Sequence, residues 1–325
     1  MDGVGDPLLR LARAAPTWWD LPAGTPARLI NLSENATFRL DPPGGAPLIL
    51  RVHRPGYHTR RAIESELLWV DALRASGAPV PEWVPGRDGR AVQEAAVPGI
   101  RRRAVLFRHL PGAHPDERGD LVPGFETLGA TAARLHAHAL EWRRPEPFER
   151  LRWDVDAVFG PRAIWGDWRR APGVTPALRP VLERVEAEVR ARLAAYGTAP
   201  DRFTLVHADM RLANLLVDGT TTRLIDFDDC GFGWLMYDFA AAISFMEDDP
   251  RVPALRAAWL RGYRTVRPLG ARDEREIGTM TMLRRMALLA WIGTHMEAPE
   301  PQALAPDFAA RTARLGTAWL EGRMP

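Results

Sequence analysis

The sequence contains no lysine, one cysteine and no long apolar run. All 43 basic residues are therefore arginine, which excludes chemistry that needs a titratable amine, such as a Schiff base. The lone Cys230 excludes an intrachain disulfide and a cysteine metal cluster. No run reaches the ~18 apolar residues of a spanning helix, and the acidic start MDGVGDPLLR is unlike a signal peptide. We therefore expect a cytoplasmic protein without a membrane partner.

The charge balance argues against nucleic acid as a partner. There are 43 basic and 41 acidic residues, so the net charge is +2. The one tight basic run, Arg101 to Arg103, is too short for a nucleic-acid arm. With 325 residues, 46% of them hydrophobic, the chain can form one large domain or two joined lobes.

Two regions of different character follow one another along the chain. An amphipathic lead-in, Leu8 to Trp19, precedes a β-rich region with one helix, predicted over Thr59 to Ser76 and closed by Gly77. Strands are predicted over Ala27 to Leu32, Thr37 to Leu40, Pro47 to His53, Ala91 to Ala96 and Arg103 to His109.

Helices predominate after Leu110-Pro111-Gly112, interrupted by a strand cluster within Phe203 to Ile225. They are predicted over Gly124 to Leu140, Pro176 to Tyr196, Leu235 to Met246, Pro253 to Val266, Asp273 to Met296 and Pro306 to Glu321. The pattern predicts an α+β fold with a small antiparallel β-sheet lobe and a larger, mainly helical lobe. The predicted parts are a lead-in (1–25), a sheet lobe (26–108) and a helical lobe (109–325).

The stretch from His207 to Asp238 carries most of the candidate chemistry. Apolar runs flank a turn at Asp218-Gly219, which predicts a hairpin. That hairpin brings Asp209 and Asn214, before its first strand, close to Asp226, after its second. Oxygen ligands gathered in this way suit Mg²⁺, which commonly uses one or two carboxylates together with substrate phosphates.

His207-Ala208-Asp209 with Asn214, followed by Ile225-Asp226-Phe227-Asp228, resembles the catalytic loop and metal-binding Asp of protein-kinase-like phosphotransferases. The similarity is greatest to the aminoglycoside phosphotransferase-like superfamily, nearest the branch of homoserine kinase type II and the bacterial stress-response kinases. It covers roughly residues 25 to 320 and implies a two-lobed protein-kinase-like fold.

The resemblance also implies roles for these residues. Asp209 would accept or orient the proton of the acceptor hydroxyl, and Arg211 would stabilise charge on the transferring phosphoryl group. His207 would brace the loop, which the family Asp at Asp238 ties to the helical lobe. The predicted metal ligands are Asn214 and Asp226, with Asp228 either a further ligand or a residue of a solvated turn.

In the first lobe, the resemblance implies a nucleotide site. Ser33 and Asn35 lie at the turn that meets phosphate, although no G-x-G-x-x-G is present, and an ordinary turn is the alternative. Arg51 occupies the strand where kinases place a phosphate-binding lysine. The crossing segment, with Arg108 and Leu110, completes the predicted nucleotide-binding set.

The partner of Arg51 is predicted to be Glu66 and not Glu64. Glu66 shares one helix face with Ile63, Val70 and Leu73, at spacings of three and four residues, so it points inward. A carboxylate on an inward face needs a positive partner.

The sequence therefore predicts a Mg²⁺-dependent enzyme that moves the terminal phosphate of ATP or GTP to a hydroxyl group of a small alcohol or amino alcohol. One alternative is a Ser/Thr protein kinase of the stress-response type. Another is a nucleotide-binding regulator without turnover, since the usual lysine is missing.

Four further features have a structural interpretation beside a functional one. The tryptophans of the insert (Trp153, Trp165, Trp168) pack in the lobe or cage a quaternary ammonium group. His136 is a packed helix residue, because His136 and His138 point away from each other and cannot chelate one ion. Glu247-Asp248-Asp249 ends a helix at the surface or attracts a cationic acceptor. Asp229 contacts substrate or lies in a solvated turn.

Overall fold

The computed structural model describes residues 5–32, 34–219 and 221–324. The chain divides into two compact units. The first contains the chain as far as Ala113, with Arg144–Arg150 and Leu216–Asp228, and the second contains the remainder. The first unit thus joins the predicted lead-in to the sheet lobe and takes in two later segments beyond residue 108.

An antiparallel sheet forms the centre of the first unit. The strands lie in the order β1, β2, β3, β6, β4, and β5 pairs with β6. Their bounds are β1 Ala27–Leu32, β2 Ala36–Leu40, β3 Leu48–Val52, β4 Trp83–Val84, β5 Gln93–Val97 and β6 Ile100–Arg108. Strand β4 escaped the sequence analysis because two residues are too few to show a period of two.

A helix covers each face of this sheet. Helix α1 (Gly5–Arg13) places Leu11 in a cluster with Phe38 and Leu50. Helix α2 (Arg60–Ala75) places Ile63 against Val105 on the opposite face. Successive side chains of β6 point to opposite faces of the sheet. Ala104 and Leu106 therefore belong to the first cluster, and Val105 and Phe107 belong to the second.

The bounds of α2 follow from local chemistry. Thr59 caps its start, because the hydroxyl oxygen accepts a hydrogen bond from the Ala62 N–H at 3.0 Å. The helix ends before Gly77, whose φ of +87° lies in the left-handed region that favours glycine.

The second unit is mainly helical and includes a small sheet in which β11 lies between β7 and β8. These strands are β7 Leu151–Trp153, β8 Phe203–Val206 and β11 Gly231–Trp234. The helices are α3 Val122–Glu141, α4 Val155–Phe159, α5 Arg179–Tyr196, α6 Tyr237–Ala242, α7 Val252–Arg264, α8 Ala271–Arg275, α9 Ile277–Thr294 and α10 Pro299–Leu320. The hairpin strands β9 Leu215–Asp218 and β10 Thr221–Leu224 pair with each other and, apart from Leu215, belong to the first unit.

Helices α3 and α7 approach so closely that their contact requires glycine. A Cβ on Gly262 would lie 1.8 Å from the Glu126 carbonyl oxygen, and one on Gly129 would lie 2.0 Å from that of Trp259. Any larger residue would force the two helices apart.

Two helix predictions near the C-terminus were wrong in their bounds. The helix predicted over Asp273 to Met296 is interrupted at Glu276, between α8 and α9. Helix α10 begins at Pro299 and contains Pro306, where the prediction had started it. Burial of Pro301, Ala305 and Phe308 along one face stabilises the extra turns despite the missing N–H at Pro306. In the ranges that the structure describes, no helix combines the length and apolar character needed to span a membrane.

Candidate active site

In the second unit, Asp238 holds the loop that follows β8. This fully buried carboxylate accepts hydrogen bonds from the backbone N–H groups of Ala208 at 2.7 Å and His207 at 3.1 Å. Ala208 has a φ of +65°, an unfavourable conformation for a residue with a Cβ. The hydrogen bonds that Asp238 accepts offset this strain and tie the loop to α6, as predicted from the sequence.

A buried polar chain supports Asp238 from α3. The Nε2 of His136 lies 2.8 Å from Asp238 Oδ2, and its Nδ1 lies 3.0 Å from the Tyr263 hydroxyl. A carboxylate accepts only, so Nε2 donates to Asp238. His136 is therefore packed, as predicted, and also serves as a polar link.

Asp209 lies in this loop, and both of its carboxylate oxygens accept hydrogen bonds. Oδ2 accepts from Asn214 Nδ2 at 2.6 Å, and Oδ1 accepts from Arg284 Nη2 at 2.7 Å. The Asn214 Nδ2 also donates to the Asp209 carbonyl oxygen at 2.9 Å, so the amide oxygen of Asn214 is left to face other groups. The backbone N–H of Asp209 donates to Nδ1 of His207 at 3.3 Å, the geometry of a brace.

Arg211 and Arg284 place two positive charges beside Asp209. Arg211 Nε lies 3.6 Å from Asp209 Oδ2, while its Nη1 donates to Glu300 at 2.9 Å. Arg284 comes from α9, 75 residues later in the chain, and the sequence analysis missed it. The signal was a charged residue within an otherwise apolar helix, MTMLRRMALLAW.

In the first unit, Arg51 and Glu66 form the predicted ion pair. Arg51 Nη2 lies 2.7 Å from each oxygen of Glu66, and both residues are buried. Glu64 instead points outward and pairs with Arg60 at 2.8 Å. The choice of Glu66 over Glu64 is confirmed.

Arg51 also reaches the segment that follows β10. Its Nη1 donates to Asp226 Oδ1 at 3.2 Å, and the Phe107 ring lies 5.1 Å from its guanidinium carbon. The buried guanidinium of Arg51 therefore contacts two carboxylates, Glu66 and Asp226, and fixes their relative positions. The Asp226 side chain is 42% exposed, so its remaining oxygen surface faces solvent.

Asp228 is buried, and the solvated turn considered for it was wrong. Its Oδ2 accepts from Asn35 Nδ2 at 2.9 Å, and its Oδ1 lies 3.4 Å from His53 Nδ1 and 3.6 Å from His58 Nε2. A protein donor thus occupies Oδ2, and two imidazoles enclose Oδ1. This geometry favours Asp226 over Asp228 as a ligand for a cation.

The two carboxylates differ in acidity. Desolvation raises the pKa of Asp226 against the opposing charge of Arg51, although access of water to its exposed side chain limits the shift. Burial also acts to raise the pKa of Asp228, but the neighbouring His53 and His58 side chains hold it well below its usual range. Burial and the charge of Arg51 lower the pKa of His53.

The other residues predicted to bind the nucleotide differ in burial and in contacts. Asn35 is nearly buried, and its Oδ1 accepts from the Arg54 N–H at 3.0 Å. Arg108 ends β6 and pairs with Glu82 at 3.2 Å, at the surface. Leu110 is half-buried. Ser33 lies outside the described residues, so its predicted role stays a prediction.

Burial bears on three other features for which two interpretations were open. Trp153, Trp165 and Trp168 are all buried within the second unit, as the packing interpretation requires, and expose no aromatic cage. The predicted surface position of Glu247-Asp248-Asp249 was wrong for Glu247, which is 1% exposed and pairs with Arg285, whereas Asp248 lies at the surface and pairs with Arg311. Asp229 is buried too, which excludes a solvated turn there.

Residues 3–276 match the model of the phosphotransferase enzyme family. The chain belongs to this family. The family match confirms the predicted phosphotransferase class, and together with the relatives below it confirms the kinase type and the predicted protein-kinase-like fold.

Individual phosphotransferases of known structure or name are similar to most of the chain. A solved structure of a microcompartment-associated aminopropanol kinase is 42% identical, with a TM-score of 0.90, and the match covers 98% of this chain and 99% of that one. The homoserine kinase of Gluconobacter oxydans is 28% identical over 254 residues, 74% of this chain and 76% of that protein.

Two further matches say less about function. A solved amicoumacin kinase, in complex with AMP-PNP, Ca²⁺ and Ami, is 20% identical and has a TM-score of 0.76 over 95% of this chain and 93% of that one. It shows the fold alone. An uncharacterized protein of Synechocystis is 26% identical over 72% of this chain, and the match spans 63% of that protein.

Proposed function

We propose that this phosphotransferase moves the terminal phosphate of ATP or GTP to the hydroxyl group of a small alcohol or amino alcohol, in a Mg²⁺-dependent reaction. The observation that carries the proposal is the loop after β8, where Asp209 and Asn214 lie at kinase spacing and are joined by a hydrogen bond of 2.6 Å. The similarity to an aminopropanol kinase and to homoserine kinases supports an acceptor of this size.

Asp209 would act on the acceptor hydroxyl. The hydroxyl oxygen bonds to the terminal phosphorus as the bond to the leaving nucleoside diphosphate breaks, and the hydroxyl proton passes to the Asp209 carboxylate. Arg211, beside that carboxylate, would balance charge on the transferring group. Positioning and charge compensation are the main contributions of an enzyme to phosphoryl transfer.

The described residues fit a nucleotide with a divalent cation. In the first unit, Asp226 offers a partly exposed carboxylate, and Arg51, which Glu66 orients, offers a guanidinium to phosphate. In the second unit, Asn214 offers its amide oxygen, because its nitrogen is used by Asp209. The cation would neutralise charge on the phosphates. Arg51 stands where kinases have a phosphate-binding lysine. Its pairing with Glu66 supports the view that Arg51 takes over that role, which favours an enzyme over a regulator without turnover.

The test is a panel of acceptors with ATP and with GTP, read by mass spectrometry of the phosphorylated product. The panel holds aminopropanol, homoserine, ethanolamine and choline, together with a Ser/Thr peptide mixture. We expect one small alcohol or amino alcohol to gain a phosphoryl group, and chelation of Mg²⁺ to abolish the reaction. Phosphorylation of the peptides alone would overturn the proposed acceptor class, and nucleotide binding without any product would favour a regulator.

A further inference from the structure

Arg284 is a buried cation in direct contact with the proposed catalytic carboxylate. It is 2% exposed, and its Nη2 lies 2.7 Å from Asp209 Oδ1. Its Nε donates to the Ser244 hydroxyl at 3.0 Å, and the Trp165 ring lies 5.2 Å from its guanidinium carbon. The guanidinium is therefore held on one side by Ser244 and directed at Asp209 on the other.

Stability is a weak explanation for this residue. Burying a guanidinium costs several kcal/mol, and replacing a buried charge pair by apolar side chains is often neutral or stabilising.

The contact with Arg284 does, however, determine how the Asp209 carboxylate is oriented. The terminal torsion of an aspartate is broad, so one hydrogen bond leaves the carboxylate plane free to turn. Here Arg284 holds Oδ1 and Asn214 holds Oδ2. Each oxygen has two acceptor positions, so each keeps one for a substrate hydroxyl, in a direction that the two donors fix.

We propose that Arg284 is a positioning residue that orients the Asp209 carboxylate toward the acceptor hydroxyl. The inference rests on the proposed function, in which Asp209 receives that proton. Arg284 acts through Asp209 and contributes to the chemical step more than to nucleotide binding.

Arg285 is a matched control on the same helix. It is as deeply buried as Arg284, and its Nε donates to the Thr312 hydroxyl at 2.8 Å. It pairs with Glu247 and lies 3.6 Å from the centre of the Phe308 ring. It therefore shares the burial and charge of Arg284 but belongs to a different ion pair.

The test compares Arg284→Met, Arg284→Lys and Arg285→Met in the full chain. We expect Arg284→Met to lower kcat by about 10²-fold or more, the contribution of a positioned base. The nucleotide KM should stay within about twofold, since binding is not the affected step. Arg284→Lys restores a charge but cannot bind Ser244 and Asp209 together, so it should recover part of the loss. Arg285→Met should change kcat far less.

A second readout does not depend on turnover. Hydrogen exchange of the backbone amides in residues 207–214 should become about tenfold faster in Arg284→Met and stay unchanged in Arg285→Met. If Arg284→Met does not fold, Arg284→Lys takes its place in both measurements. Unchanged exchange, or equal loss of activity in the two methionine variants, would overturn the inference. If the unaltered protein phosphorylates no acceptor, the proposed function fails, and the exchange measurement still shows whether Arg284 holds the Asp209 loop.

Discussion

Removal of either partner of the Arg51–Glu66 pair should destabilise the first unit, and the two losses should be unequal. Breaking a buried pair costs about 3–5 kcal/mol, because the remaining charge is left buried without its partner. In Arg51→Ala, Glu66 keeps its carboxylate at 1% exposure and loses the group that binds both of its oxygens. We expect a loss of about 3–5 kcal/mol in this variant.

Glu66→Ala should cost less. Arg51 then still donates to Asp226 at 3.2 Å, and the exposed side of Asp226 admits water to that contact. We expect a loss of about 1–3 kcal/mol, the cost of one unsatisfied buried group. The double variant should lose far less stability than the two single variants added together, because each single variant already breaks the same ion pair.

Glu64→Ala provides the matched control. Glu64 lies on the same helix, is 46% exposed and pairs with Arg60 four residues away. Such surface pairs contribute about 0.3–0.5 kcal/mol. The free energy of unfolding is measured by urea denaturation, and nucleotide affinity by calorimetry, where both pair variants should bind more weakly than Glu64→Ala. Additive losses, or equal losses for Glu64→Ala and Glu66→Ala, would refute the reasoning.

Two further predictions concern the cation and the loop support. Asp226→Ala should abolish the Mg²⁺-dependent rise in melting temperature that nucleotide produces. The control Asp218→Ala, at a side chain that is 53% exposed, should keep that rise. An undiminished rise in Asp226→Ala would remove Asp226 from the metal site. Asp238→Asn should lower both stability, by about 1–3 kcal/mol, and kcat, because it weakens the hydrogen bonds that hold the Asp209 loop. Urea denaturation and initial rates check this, and wild-type values for both would show that the loop does not need the carboxylate.

Local signals explain what the sequence predicted well. Strand β1 was predicted with its observed bounds, and α2 within one residue at each end, because Thr59 and Gly77 mark its termini. The choice of Glu66 followed from the 3.6-residue period alone. Such features depend on neighbours within one or two turns of chain, which a sequence displays directly.

Long-range pairing explains what the sequence could not predict. The contact between Arg284 and Asp209 joins residues 75 apart, and the pair of Arg285 with Glu247 joins residues 38 apart. A charged side chain in an apolar helix indicates that a partner exists, but not which one. Glu247 was predicted at the surface for this reason, since its burial depends on an arginine from α9. Asp228 was equally ambiguous until His53 and His58 were seen beside it.

The most direct test of the central claim is Asp209→Asn, which keeps the size of the side chain and removes its charge. With an acceptor from the panel, initial rates and nucleotide affinity are measured for the unaltered protein, Asp209→Asn and the surface control Asp218→Asn. We predict that Asp209→Asn loses about 10²–10⁴-fold in kcat while nucleotide affinity stays close to that of the control. Turnover by Asp209→Asn at the rate of the unaltered protein would contradict the account.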